Sequence, residues 1–168
     1  GHHHRRQHRA NLLDHRHVDH PAQAPLLRAD PGLLHGAVEE LLRYDGPVPA
    51  TVKIATQDIP WHGRTIRCGD MVIPFMAAAN RDPRQFPDPD TLDVRRQPER
   101  HVAFAAGIHF CLGAWLPRVG ARLVLSTVFR RLPNLGLAAA APRWKPMIFL
   151  RGLEALPVTW SLEGGSIS

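Results

Sequence analysis

The chain is poor in cysteine, with 2 in 168 residues, Cys68 and Cys111. That excludes a disulfide framework, and neither cysteine has a Cys-x-x-Cys partner, which excludes a cysteine-rich zinc site. No apolar run approaches the roughly 18 residues of a membrane span, and no signal-peptide pattern opens the sequence. A soluble, cytoplasmic protein without membrane partners is the expectation. Aromatic residues are 7% of the chain, with 1 Tyr, so nucleic-acid bases would find few stacking platforms. Acidic residues are also in deficit, 15 against 21 Lys and Arg, for a net charge of +6. Proline, by contrast, is abundant at 16. Each proline costs a helix interior about 3 kcal/mol, which argues against a plain helical bundle. At 44% hydrophobic and 21% charged, whole-chain disorder is excluded, and the length suits one domain with a single core.

The basic excess is uneven. Residues 1–20 hold seven of the 11 histidines (His2, His3, His4, His8, His15, His17 and His20), with four arginines against Asp14 and Asp19. A basic patch is one mark of nucleic-acid binding. No aromatic residue interrupts this one, and a solvated, disordered or tag-like end explains it better. No nucleic-acid partner is therefore expected. Residues 1–20 are set apart as a His/Arg-rich, non-matching or disordered segment. Residues 21–163 form the main region, and 164–168 a tail.

Asp30 is a suitable N-cap and Pro31 fits the first helical position. Leu34, Val38, Leu41 and Leu42 then recur at helical spacing, and Gly46-Pro47 ends the run. Residues 51–57 alternate as a half-buried strand does. Short strands near 64–67 and 71–75 flank a Cys68-Gly69-Asp70 turn, which predicts a small antiparallel sheet. Pro83, Pro87, Pro89 and Pro98 make 82–100 a long loop, a length that tends to be functional. A second helix is predicted over 113–131, with Leu116, Val119, Leu123, Val124 and Val128 on one face and Pro117 early enough to be tolerated. Residues 148–160 suggest a β-hairpin turning at Gly152.

Chemistry concentrates in Phe104-Ala105-Ala106-Gly107-Ile108-His109-Phe110-Cys111-Leu112-Gly113. It follows the long loop and precedes a helix. A cysteine at a helix N-terminus has its thiolate stabilised by the dipole and free N–H groups. That suits an iron ligand or a nucleophile, while a lone cysteine is otherwise a buried structural residue. Gly107 permits a tight turn, and Gly113 permits close approach of a flat ligand. His109 is near enough to bind an anion. Cys111 and His109 are poorly placed as a nucleophile and base, because residues two apart around a loop seldom meet.

In order and spacing, Phe104, Gly107, His109, Cys111 and Gly113 resemble the haem-binding loop of the cytochrome P450 family. About seventy residues upstream, Glu40-Leu41-Leu42-Arg43 resembles the family's Glu-x-x-Arg helix motif, in which i and i+3 share a face. Asn80-Arg81-Asp82-Pro83, Phe86-Pro87-Asp88-Pro89 and Ala155-Leu156-Pro157-Val158-Thr159-Trp160 resemble further family segments. The resemblance covers about 24–162 and has the flavour of soluble bacterial members. It implies a mainly α fold with a small β region: the C-terminal part of the P450 fold, with helices K and L, the meander, the cysteine-ligand loop and a terminal β-hairpin. It also implies haem b with Cys111 as its axial iron ligand and catalytic thiolate, shielded by Phe104. His109 and Lys53 would serve the haem propionates, and Gly107 and Gly113 would shape the loop. Glu40, Arg43 and Arg96 would form a buried structural triad, with Arg95 the close alternative to Arg96. Val48, Pro49, Thr51, Phe149 and Leu150 would face substrate. The implied function is monooxygenation of a small organic substrate with O2. The electrons would come from a ferredoxin and its NAD(P)H-dependent reductase, with Arg118 and Arg122 contributing to the docking face.

The sequence departs from the family in places. It is expected to be a C-terminal fragment, because the helices preceding the Glu-x-x-Arg helix are almost entirely missing. Ala10-Asn11-Leu12-Leu13 resembles the tail of the distal helix, which puts Gln7 and His8 where its acid and threonine belong. A broken reading frame would account for the change of composition over 1–20. Ala105, Ala106, Trp115 and Pro117 replace smaller or more usual choices. The competing expectation is a non-catalytic P450 remnant unable to form a complete haem pocket.

Overall fold

The structure is a computed structural model that describes residues 22–97, 100–138, 143–147, 149–162 and 165–166. The His/Arg-rich segment 1–20, with Gln7 and His8, lies outside the described residues, as do Ile148 and most of the tail. Helix α1 spans Gln23–Ala29 and α2 spans Leu34–Asp45, joined by a 3-10 turn at Pro31–Leu33. Asp30 caps that turn, its carboxylate accepting the Gly32 N–H at 2.9 Å. Proline at the first position of the turn has no N–H to leave unpaired. The sequence gives α1 little periodicity, and it was not expected as a separate helix.

Helix α2 is the central element. Ala37, Val38, Leu41 and Leu42 on it are buried, and so are the charged Glu40 and Arg43. Val38, Leu41 and Leu42 pack with Leu92 and with Leu125 of the last helix, while Leu27, Ala37 and Val94 form an adjoining cluster. The proline-rich segment thus supplies core residues without being helix or strand. Its backbone is tied down by side chains, with Val94 N–H donating to Gln23 Oε1 at 2.9 Å and Asp93 N–H to Glu40 Oε1 at 3.2 Å.

Four short strands follow α2: β1 (Lys53–Ile54), β2 (Ile59–Trp61), β3 (Arg64–Ile66) and β4 (Met71–Val72). They pair antiparallel as β1 with β4 and β2 with β3. The segments flanking Cys68-Gly69-Asp70 therefore do not pair with each other. The hairpin lies one turn earlier, at His62-Gly63, where φ is 44° and 75°. Two successive positive φ values suit a two-residue hairpin turn. The Cys68 turn instead closes the outer pair, with Gly69 N–H donating to the Ala55 carbonyl at 2.8 Å.

Helix α3 is the short Met76–Ala79, and α4 runs Trp115–Arg131 with Pro117 in its first turn. The expected apolar face of α4 is corrected. Leu116, Leu123 and Val124 are exposed, while Ala114 and Leu125 are buried and Ala121 and Phe129 pack on the core. Apolar residues occur nearly all round this helix, so a stripe can be drawn on either side. The side that is buried is the one whose Leu125, Ala121 and Phe129 meet Val38, Leu41 and Leu42 of α2.

The terminal hairpin is also re-drawn. Strands β5 (Gly136–Leu137), β6 (Arg143–Trp144), β7 (Leu153–Ala155) and β8 (Val158–Thr159) pair as β5 with β8 and β6 with β7. The arms of the hairpin are β6 and β7, and Gly152 lies at the base of its turn, where its carbonyl accepts the Lys145 N–H at 2.8 Å. Strands β9 (Ser161–Leu162) and β10 (Gly165–Ser166) pair at the end.

Candidate functional site

The cysteine loop is shaped by its backbone. Ala105 and Gly107 adopt positive φ, 60° and 63°. Ala105 in this conformation is strained, since the left-handed region crowds Cβ. The loop then closes on itself, with Cys111 N–H donating to the Phe104 carbonyl at 3.0 Å and Ala114 N–H to the Cys111 carbonyl at 3.1 Å. Cys111 is left exposed just ahead of α4, flanked by exposed Ile108, Phe110 and Leu112. A Cβ built on Gly113 would lie 4.0 Å from the Cys111 Sγ. His109 is exposed at the end of a 3-10 turn over Gly107–His109.

Phe104 packs against the core cluster, and the Arg118 guanidinium lies 4.4 Å from its ring centroid. That distance is a cation–π contact.

The acid–base pair on α2 is bidentate. Arg43 Nε and Nη2 donate to Glu40 at 2.7 and 2.8 Å, and both side chains are fully buried. The other Arg43 hydrogens reach the carbonyls of Asn80 (2.9 Å), Pro89 (2.9 Å) and Thr91 (3.3 Å). All five guanidinium donors are thus satisfied, as a buried arginine requires. Arg96 joins through Nε to Glu40 Oε1 at 3.2 Å, and its remaining nitrogens reach the Pro87 and Asp88 carbonyls at 2.8 and 3.3 Å. Arg96, and not the exposed Arg95, meets Glu40. Asn80 links this network to the cysteine loop, because its buried Oδ1 accepts the Val102 N–H at 2.7 Å.

A second network lies beside the first on α2. Glu39, beside Glu40, accepts from Arg118 Nε at 2.8 Å and Nη2 at 2.9 Å, and from His101 Nε2 at 2.9 Å. Ala103 N–H donates to His101 Nδ1 at 3.3 Å, which leaves Nε2 carrying the hydrogen given to Glu39. Burial pushes the Glu39 carboxyl up, but the hydrogen bonds from His101 and Arg118 and the Arg118 charge outweigh it and hold its pKa at about 2. The only sequence signal was the position of His101, three residues before Phe104. Arg118 and Arg122 are both engaged within the chain. Arg122 donates to the Arg118 carbonyl at 3.3 Å and to His35 Nδ1 at 3.1 Å. An open cleft of about 400 Å³ beside them is lined by His35, Gln97, Arg100, His101 and Arg118.

The residues expected to face substrate come from two separated segments. Arg151 N–H donates to the Pro47 carbonyl at 2.8 Å, which joins the residue after Leu150 to the residue before Val48. Pro49 and Thr51 follow Val48 and are held through the Ala77 N–H to Pro49 carbonyl bond (3.0 Å) and the Thr51 N–H to Pro74 carbonyl bond (3.2 Å). Lys53 stands half-buried on β1, opposite Val72.

This arrangement, an exposed cysteine in a loop ahead of a helix and backed by a buried Glu-x-x-Arg network, has a family. The family model described as Cytochrome P450 matches residues 27–133, and the chain belongs to that family. It is 44% identical over 146 residues to the cytochrome P450 monooxygenase PikC of Streptomyces venezuelae, covering 85% of this chain and 35% of that protein. It is 43% identical over 143 residues to a biotin biosynthesis cytochrome P450 of Bacillus subtilis, covering 85% of this chain and 36% of that one. The chain thus spans just over a third of the length of these relatives. The solved structure of P450BioI, in complex with a fatty-acid-ligated acyl carrier protein, superposes with a TM-score of 0.82 at 43% identity, over 86% of this chain and 37% of that one. The fold is accordingly a part of the P450 fold. No helix among the described residues is long and apolar enough to cross a membrane.

Proposed function

We propose that this chain carries the thiolate side of a haem monooxygenase that inserts one oxygen atom from O2 into a small organic substrate. The observation that carries the reading is the exposed Cys111, held ahead of α4 by its own backbone bond to Phe104 and surrounded by exposed apolar side chains. Free cysteines usually bury. One that is presented among Ile108, Phe110 and Leu112 fits a flat apolar macrocycle with a metal at its centre. The residues present fit haem b, with Cys111 as the iron ligand.

When bound, a cysteine-ligated haem supplies the O–O cleavage chemistry. The chain's own residues do the rest. The loop bonds fix the direction of the sulfur, and Phe104 covers the loop from the core side. His109 and Lys53 would carry the anionic edge of the macrocycle. Gly113 keeps the backbone beside the sulfur thin. Val48, Pro49, Thr51, Phe149 and Leu150 would line the substrate side. A ferredoxin and its NAD(P)H-dependent reductase are the electron donors in this reading, and the location is cytoplasmic. The tirandamycin C-bound monooxygenase TamI (42% identical, TM-score 0.80) supports a small organic molecule as the substrate class.

The alternative is a P450 chain that does not hold haem on its own. One experiment separates the two. The 168-residue chain is loaded with haem, reduced and exposed to CO. A red-shifted thiolate-haem band that disappears in Cys111→Ala supports the first reading. Absence of that band in the unmodified chain supports the second.

A further inference from the structure

Glu39 receives His101, ten residues before Cys111, and Arg118, seven residues after it. One carboxylate therefore closes the whole segment 101–118 onto α2. Both branches continue into the loop. His101 Nδ1 accepts the N–H of Ala103, next to Phe104, and the Arg118 guanidinium lies over the Phe104 ring. Phe104 in turn accepts the Cys111 N–H. Arg118 is fixed on its other side by the Ala114 carbonyl at 3.1 Å, so its plane has little freedom. The groups facing Glu39 are the His101 N–H and the Arg118 guanidinium, with its neighbour Glu40 committed to Arg43 and Arg96.

We propose that Glu39 is the staple of the cysteine loop and Arg118 its positioning residue, together fixing where the Cys111 sulfur sits. The Glu40–Arg43–Arg96 network holds the proline-rich segment. The Glu39 network holds the loop, from both its ends. The two networks of adjacent carboxylates on α2 meet where Asn80 Oδ1 accepts the Val102 N–H, and the Glu39 network alone reaches both ends of the loop. This deepens the haem-thiolate reading and rests on it only for its consequence at the iron, because the stapling itself is a property of the chain without haem.

The test is amide hydrogen exchange on the haem-free 168-residue chain, comparing the unmodified protein with Glu39→Gln and Arg118→Lys. Glu39→Gln keeps shape and removes the charge. Arg118→Lys keeps the charge and removes the fork. Exchange at the Cys111 and Ala105 amides is expected to rise about tenfold in Glu39→Gln, while the Ala55 and Gly69 amides of the remote strand turn change less than about twofold. Arg118→Lys should raise the same loop amides by a smaller factor. An equal rise at loop and remote amides would reduce Glu39 to a general stabiliser and overturn the proposal, as would unchanged loop exchange. If Glu39→Gln does not fold, Arg118→Lys decides on the same amides. Failure of the chain to bind haem bears on the functional reading and leaves this result intact.

Discussion

The amide hydrogen of Cys111 is donated to the carbonyl of Phe104 across 3.0 Å, while the Phe104 ring lies under the Arg118 guanidinium. One residue thus joins the exposed sulfur to the core and to the helix that follows. Phe104→Ala removes the ring from the Leu42 and Leu125 cluster and leaves Arg118 without its aromatic face. Because Phe104 is half-buried, the expected loss is about 2–3 kcal/mol, below the range for a fully buried phenylalanine. Urea unfolding followed by tryptophan fluorescence measures it. A loss below about 0.5 kcal/mol would mean that the ring does not support the loop.

Arg43 gives the largest expected effect. Its five N–H groups are all used, and it has no solvent to fall back on. Arg43→Ala leaves Glu40 buried with only Arg96 and the Asp93 N–H, and orphans three carbonyls. The expected cost is about 3–5 kcal/mol, enough to unfold a marginal chain. Arg43→Lys should recover little of it, because an ammonium offers three donors and no fork. Circular dichroism melting of both variants checks the order.

The difference between the two carboxylates of α2 explains what the sequence made legible. Glu40 and Arg43 are three residues apart, so helical spacing alone brings them together, and the meander arginine follows from the resemblance. Glu39 finds His101 at a separation of 62 residues and Arg118 at 79. No local rule reports such a partner, and a glutamate next to another on a helix reads as a solvated charge. The same limit applies to α4. Its apolar residues occupy nearly every face, so the buried side is settled only by packing against α2 and Leu92 in the folded chain. The strands failed for a related reason: two- and three-residue strands carry too little alternation to fix their pairing. The cysteine loop was legible because the resemblance rests on fixed residue types at fixed spacing.

Two glycines separate backbone strain from steric contact. Gly107 has φ of 63° and open space where a Cβ would stand. Gly107→Ala should therefore cost only the left-handed backbone penalty, about 1 kcal/mol. Gly46 lies at an ordinary φ of −59°, but its Cβ would come 2.8 Å from the Leu42 carbonyl oxygen. Gly46→Ala must shift backbone at the end of α2, so about 2–3 kcal/mol is expected. Denaturant midpoints of the two variants, measured side by side, test the ranking.

Glu39 predicts an acid limb in the stability curve. Its carboxyl is held at about 2 in the folded chain against an ordinary value of 4.5. A depressed folded pKa contributes stability that is complete above about pH 4.5 and is lost as the pH falls toward 2. Asp82 is also held at about 2, by hydrogen bonds from Arg84, but from an ordinary value of 3.8 and at a fully exposed site, where solvent screens the pair and little stability depends on it. Glu39→Gln should flatten the curve between those limits without abolishing it. An unchanged slope in that variant would remove Glu39 from the account.

The exposed side of α4 predicts behaviour in solution. Trp115, Leu116, Leu123 and Val124 present apolar surface that nothing among the described residues covers. Contiguous exposed apolar surface binds hydrophobic dyes and drives self-association. The 168-residue chain should therefore enhance ANS fluorescence while folded and associate with rising concentration. Leu116→Glu with Leu123→Glu removes two of these side chains and adds charge on one face. Both side chains are mostly exposed, so the fold should lose less than about 1 kcal/mol. Dye binding should fall severalfold, and light scattering should report a smaller species. A variant that keeps the dye signal would place the sticky surface elsewhere, the bare apolar ring around Cys111 being the next site to test by Ile108→Ser with Leu112→Ser.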